Sequence, residues 1–283
     1  METTANQGRF RNKLAQVILS QFPTRQKYNM NQYLQNLNRI EFLLTFACTG
    51  RCKHCSEGEH TSAGEHLDGD IAADMVRKVA SNYKINSVMT FGGEPLLYPD
   101  DVCKIHLAAK DAGIPERQII TNGFFSQNEA KIQHVAKTLV ENGVNNILLS
   151  VDAFHQETIP TQPVMTFAKA IYALGIPKFR VHPAWLVSEQ ADNFYNNKTR
   201  EILAEYNAIG IPASEGNVIY PNGNAIKYLS EYFDLSIPHE SPYTENPCNI
   251  ESICVIPNGD VLGKNICKTD ILEILKNYAP KNT

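Results

Sequence analysis

Three cysteines, Cys48, Cys52 and Cys55, fall within eight residues with the spacing C-x3-C-x2-C. Thiolates are soft ligands that suit iron–sulfur clusters, zinc or cuprous ions. Three thiolates on a four-iron cube leave one iron without a protein ligand, and such an open position is a place for chemistry. A closed structural zinc would need a fourth ligand, for which His54 or His60 is at hand. Paired C-x2-C knuckles are the usual zinc spacing, however, and this segment has one such pair, not two.

The chain holds seven cysteines in 283 residues, an odd count that no complete disulfide framework can use. Met1 to Arg11 is polar, with no apolar stretch of a secretory signal, so a reducing cytoplasmic setting is expected. The balance of 26 basic against 30 acidic residues gives a net charge of -4. That argues against a chain whose main task is to coat nucleic acid or an anionic membrane. No apolar run approaches the roughly 18 residues that would span a bilayer.

Elements that position the cysteines follow from periodicity. Candidate strands are 40–47, 87–91, 117–121, 146–151, 178–182 and 217–220. After a longer first interval, which holds the cysteines, their starts recur at about the 30-residue length of a strand–helix–strand unit. Between them the 3.6-residue period puts Ile71, Met75 and Val79 on one face. It does the same for Ile132, Val135, Ala136, Leu139 and Val140, and for Val164, Phe167, Ala168 and Ile171. Gly113, Gly143, Gly175 and Gly210 end amphipathic runs, three of them followed two residues later by proline. The expected fold is α/β: a partial (β/α)6 barrel with an open parallel sheet. Residues 1–38 are expected to form an N-terminal helical extension, with Leu14, Val17, Ile18 and Phe22 on one face. Residues 39–235 form the core, and 236–283 a C-terminal hairpin and helix about the Asn258-Gly259 turn.

The motif set resembles the radical S-adenosylmethionine (SAM) superfamily. The cysteines follow the first strand, Gly92-Gly93-Glu94-Pro95 ends the second, Thr121-Asn122-Gly123 the third, and Ser150-Val151-Asp152-Ala153-Phe154 the fourth. All lie at the carboxyl ends of strands, where parallel βα sheets gather ligands. The resemblance implies a 4Fe–4S cluster on Cys48, Cys52 and Cys55 with SAM on its open iron. Reductive cleavage would give a 5′-deoxyadenosyl radical that abstracts hydrogen from a substrate. It further implies that Gly92 and Gly93 present carbonyls to the SAM ammonium and that Glu94 adds a charge-assisted hydrogen bond. Asn122, Ser150 and Asp152 are either contacts to SAM or caps of the next helix. Arg180 either pairs with the SAM carboxylate or forms a salt bridge in the barrel. His155, His182 and Tyr220 stand near the same rim, as substrate contacts or as structural residues; for His54 the backbone is expected to matter more than the ring.

Cys103 lies on an expected helix and reads as core. Cys248, Cys254 and Cys267 flank the C-terminal hairpin, as cysteines do in SPASM or twitch extensions that carry auxiliary clusters. Their C-x5-C-x12-C spacing lacks the paired cysteines of those extensions, and Cys254 falls in an alternating strand run, so structural cysteines are favoured over a second cluster. Gly263-Lys264-Asn265-Ile266 resembles the glycine–asparagine–isoleucine lead into a closing helix. The partners implied are an electron donor such as flavodoxin or ferredoxin and a substrate that is either a ribosomal peptide or a small metabolite. The roughly 38 residues before the first strand are short for a separate leader-recognition domain, so a peptide would need a partner protein or the C-terminal extension to deliver it. A zinc- or peptide-binding module without chemistry is the alternative from another class.

Overall fold

The computed structural model describes residues 30–239 and 241–281. The expected N-terminal helix about Leu14 and Phe22 lies outside them. In chain order the elements are β1 (Arg39–Leu43), α1 (Gly69–Asn82), β2 (Ser87–Phe91), α2 (Pro99–Asp111), β3 (Glu116–Thr121), α3 (Glu129–Glu141) and β4 (Asn146–Ser150). Then come α4 (Ala153–Gln156), α5 (Thr161–Ala173), β5 (Lys178–His182), β6 (Ala184–Trp185), α6 (Phe194–Asn207), β7 (Asn217–Val218) and α7 (Asn224–Leu229). The chain finishes with β8 (Ser252–Val255), β9 (Asp260–Val261), β10 (Lys264–Asn265) and α8 (Ile271–Lys276). Among the described residues no helix is long and apolar enough to cross a membrane.

Six strands form one sheet in the order β5-β4-β3-β2-β1-β8, and every neighbouring pair is parallel. It is an open sheet of βα units. Strand faces alternate: Ile40 and Phe42 are fully buried against the helices, while Arg39 and Glu41 pair at 2.5 Å on the other face. The helices meet the sheet with the expected stripes: Val164, Phe167, Ala168 and Ile171 of α5 are all fully buried. In α1 the stripe is Ala72, Met75, Val76 and Val79, and Ile71 is partly exposed instead. Gly113, Gly143, Gly175 and Gly210 take positive φ and stop the preceding helices.

Two expectations need correction. Asn217–Val218 is not the sixth strand of the sheet: β7 pairs with β6 in a separate two-stranded unit, joined to β5 by an isolated bridge between Val181 and Ala213. The sixth strand is β8, which enters at the opposite edge with Ile40 beside Ile253 and Phe42 beside Val255. The apolar alternation of β8 matches the β1 face it must extend, whereas Asn217 and Val218 are both exposed. The Asn258-Gly259 turn forms, with Gly259 at φ 86° and its N–H on Ile256 O at 2.8 Å. The antiparallel ladder, however, joins β9 to β10 across Leu262 and Gly263, both at positive φ.

The C-terminal segment therefore completes the core sheet, and the described residues from Asn31 onward make one compact unit. Helix α8 buries Ile271, Ile274 and Leu275, and its capping Asp270 pairs with Lys78 of α1 at 2.7 Å. The fold predicts a contrast in denaturant unfolding. Ile253→Ala in β8 should cost about 2–5 kcal/mol, as loss of a buried branched side chain does. Val218→Ala in exposed β7 should stay within about 0.5 kcal/mol. Equal losses would contradict the assignment of β8 as the sixth strand.

Candidate active site

The cysteine loop leaves β1 and is tied to the sheet by backbone contacts too close for any side chain. Gly93 N donates to Thr45 O at 2.7 Å and Glu94 N to Ala47 O at 2.8 Å. A Cβ on Gly93 would stand 2.1 Å from Ala47 O, and one on Gly92, at φ 144°, 2.6 Å from Thr45 O. The two glycines thus let β2 dock against the cysteine loop, which their expected role toward a ligand did not include. A second tie comes from α7: Asn224 N donates to Cys55 O at 2.9 Å and Asn224 Nδ2 to Cys52 O at 3.1 Å. Arg51 N reaches Thr158 Oγ1 at 3.0 Å, and the Arg51 guanidinium folds back on the carbonyls of Cys48 and Gly50.

Glu94 is fully buried and does not line the cavity beside it. Its Oε1 accepts from Leu96 N at 2.8 Å and Thr121 Oγ1 at 2.6 Å, and its Oε2 accepts from Asn122 N at 2.7 Å. Where the resemblance places Glu94 on the SAM ammonium, its carboxylate here joins the end of β2 to the end of β3. Burial pushes it up to about 7 in spite of those three donors. Asn122, so anchored, donates from Nδ2 to Cys48 Sγ at 3.5 Å and to Thr49 Oγ1 at 3.1 Å. Gly50 N also donates to Cys48 Sγ, at 3.3 Å.

Above the sheet lies an open cavity. Cys48, Cys52 and Cys55 line it together with Gly92, Gly93, Asn122, Ser150 and Asp152. Arg180 does not: its guanidinium donates to Asn146 Oδ1 at 2.8 Å near the start of β4. Asp152 is both an N-cap and a tie. Its Oδ1 accepts from His155 N at 3.0 Å, and its Oδ2 meets His155 Nδ1 at 2.8 Å and Ala184 N at 3.0 Å. Burial alone would raise its pKa, but His155 beside it holds the carboxyl well below the usual range. His182 also faces the cavity, with Nδ1 2.7 Å from Ser214 Oγ; burial, then Arg180, lowers its pKa. Asn217 to Tyr220 and Tyr243 line the cavity as well, the two tyrosine rings 6.0 Å apart.

Sequence reasoning missed Tyr243 and offered His60 only as a spare ligand for zinc. His60 bridges Cys55 Sγ at 3.0 Å and Phe46 O at 2.7 Å, and its position five residues after Cys55 was the available signal. Tyr243 comes from a proline-rich stretch with no period to mark it. The ring of His54 is packed 5.0 Å from Phe154 and 4.9 Å from His155, so more than its backbone is engaged. Cys103 is buried in the core, and Cys254 sits on β8 opposite Glu41. Cys248 and Cys267 are exposed, and no set of three close donor atoms among the described residues includes any of the three C-terminal cysteines.

The cysteine trio fits a multi-iron cluster better than a single ion. Two sulfurs on one tetrahedral ion with 2.3 Å bonds lie about 3.8 Å apart. Among the described residues the three sulfurs do not all come within 4.8 Å of one another. Burial pushes the Cys48 thiol up to about 11 and raises Cys52 and Cys55, so cluster loading must expel their protons.

Comparison with known proteins agrees with this geometry. Residues 42–182 match the Radical SAM superfamily. A probable GTP 3′,8-cyclase of Methanocaldococcus jannaschii is 24% identical over 127 residues, 45% of this chain and 40% of that protein. One from Saccharolobus islandicus is 32% identical over 130 residues, 46% of this chain and 39% of its own length. The chain thus spans about two fifths of the length of these curated relatives. Among solved structures, anSMEcpe with bound AdoMet aligns at TM-score 0.54 and 14% identity, covering 86% of this chain and 80% of the other. Streptococcus suis SuiB bound to precursor peptide SuiA aligns at TM-score 0.53 and 12% identity, covering 88% and 66%. These likenesses establish the fold.

The Glu94 junction predicts a pH signature. From pH 4.5 to about 7 the folded chain holds a proton that the unfolded chain has released. Its contribution to unfolding free energy therefore falls as pH rises through that window. Urea unfolding at several pH values should show this slope in the wild type and a flatter one in Glu94→Gln. An identical slope in both would contradict the assignment.

Proposed function

We propose that this chain, whose residues 42–182 match the Radical SAM superfamily, is a radical SAM enzyme that abstracts hydrogen from a peptide or other uncharged substrate held in the cavity above the cysteine loop. The observation that carries this reading is the meeting of all three cysteines with Gly92, Gly93 and Ser150 in one cavity at the strand ends. When bound, the cluster and SAM supply a 5′-deoxyadenosyl radical that takes the substrate hydrogen.

The chain's own residues position and protect. Cys48, Cys52 and Cys55 hold the cluster on a loop that Gly93, Asn224 and Thr158 fix from three sides. Asn122 and Gly50 direct N–H groups at Cys48, the kind of contact that tunes cluster potential. Gly92 and Gly93 offer backbone to the SAM ammonium, Ser150 and Asp152 border the same space, and Glu94 sets the spacing of these strand ends. Arg180, bonded to Asn146, does not line the cavity. Tyr220 and Tyr243 stand at the substrate wall and restrict water.

Substrate class follows from that wall. Among the described residues lining the cavity there is no lysine or arginine, and the only acid, Asp152, is already paired with His155. A nucleoside triphosphate needs guanidinium or ammonium partners for its phosphates. A peptide segment needs none, and neutral hydrogen-bonding groups with two tyrosines suit it. The partial match to GTP 3′,8-cyclases supports a second reading, a small metabolite. An electron donor such as flavodoxin or ferredoxin fits either reading, in a reducing compartment.

Anaerobic reconstitution should load about four irons per chain and give reductive SAM cleavage to 5′-deoxyadenosine. Deuterium carried from a labelled peptide into 5′-deoxyadenosine identifies the substrate, whereas transfer from labelled GTP establishes the second reading. Retention of both iron and cleavage in Cys52→Ala would overturn the reading.

A further inference from the structure

Cys52 has a second set of neighbours that cluster chemistry leaves unused. Its Sγ and one ring nitrogen each of His54 and His155 all lie within 4.8 Å of one another, and Cys48 and Cys55 are not part of that set. Donors on a tetrahedral zinc, with bonds of 2.3 Å to sulfur and about 2.05 Å to nitrogen, stand about 3.3–3.6 Å apart. Small side-chain movements close the difference.

The surroundings have the form of a metal site. His155 Nδ1 is engaged by fully buried Asp152 at 2.8 Å, which leaves Nε2 for an ion. That carboxylate–histidine pair is the arrangement that orients metal-binding imidazoles. His54 Nδ1 is buried and, among the described residues, has no hydrogen-bond partner. Buried polar atoms are ordinarily satisfied, so an orphaned nitrogen beside a thiol and a second imidazole calls for a ligand. Cys52, His54 and His155 all border the cavity, which gives a fourth position open to water.

The geometry points to a mononuclear site in the cluster-free chain, at which Cys52, His54 and His155 bind one zinc-class divalent cation in competition with the cluster. One thiolate and two imidazoles suit zinc over manganese or magnesium. On binding, the Cys52 thiol gives its proton to solvent and no electron moves. Because both groups need Cys52, an ion here excludes the cluster, and cluster assembly must displace it.

The test uses the full cluster-free chain under anaerobic conditions, titrated with zinc and, as a spectroscopic probe, cobalt. One equivalent should bind, with cobalt in a tetrahedral field and the charge-transfer intensity of one thiolate. His54→Phe, His155→Gln and Cys52→Ala should each weaken zinc at least about tenfold, and Cys48→Ala should leave it unchanged. In reverse, Cys48→Ala should fail to load the four-iron cluster while His155→Gln loads it, and one equivalent of zinc should slow loading of the wild type. Charge transfer from three thiolates, or loss of zinc in Cys48→Ala with none in His155→Gln, would overturn the proposal by placing the ion on the cysteine trio. Absence of binding in the wild type would also overturn it. The wild-type cobalt spectrum decides even where a variant fails to fold. Since no SAM is present, failure here and failure of SAM cleavage are separate results.

Discussion

One buried carboxylate and two glycines fix the relation between the cysteine loop and the sheet. Gly93 packs its backbone on Ala47, Glu94 behind it collects donors from Leu96, Thr121 and Asn122, and Asn122 then reaches Cys48. The ends of three adjacent strands are thereby held together by contacts that tolerate little change. A buried carboxylate costs free energy unless its acceptors are filled, and here three donors fill them. The cost secures geometry: it locks the ends of β2 and β3 under a loop that Asn224 and Thr158 hold from the other sides.

Around that junction the site gathers the cysteine sulfurs, the strand-end glycines with Ser150, the Asp152–His155–His54 group and two tyrosines. The asymmetry among the ligands is physical. Cys48 receives N–H groups from Gly50 and Asn122, Cys55 faces His60, and Cys52 faces two imidazoles. Hydrogen bonds to cluster sulfur are among the levers by which a protein sets potential, so the three positions are not interchangeable.

Much of this was legible in the sequence where local rules govern. The stripe Val164, Phe167, Ala168 and Ile171, the glycine stops and the placing of motifs at strand ends follow from period and punctuation. The sixth strand was not legible in the same way. Pairing between residues 40 and 253 depends on which edge of the sheet is left open, and no local pattern encodes that. Asn217-Val218-Ile219-Tyr220 has strand-like residues yet ends as an exposed two-residue ladder, because tertiary placement overrides propensity. Glu94 was legible as important, but its partners are backbone N–H groups, which every residue carries. The closeness of His54, His155 and Cys52 comes from two elements about a hundred residues apart meeting at one rim.

The central claim is that Cys48, Cys52 and Cys55 hold a four-iron cluster whose fourth iron is open to SAM. Mössbauer spectroscopy of the iron-57 reconstituted wild type, recorded with and without SAM, tests it most directly. One iron of the four should change its isomer shift and quadrupole splitting when SAM is added, the other three remaining as they were. A four-iron spectrum unaltered by SAM, or iron bound in any other stoichiometry, would contradict the account.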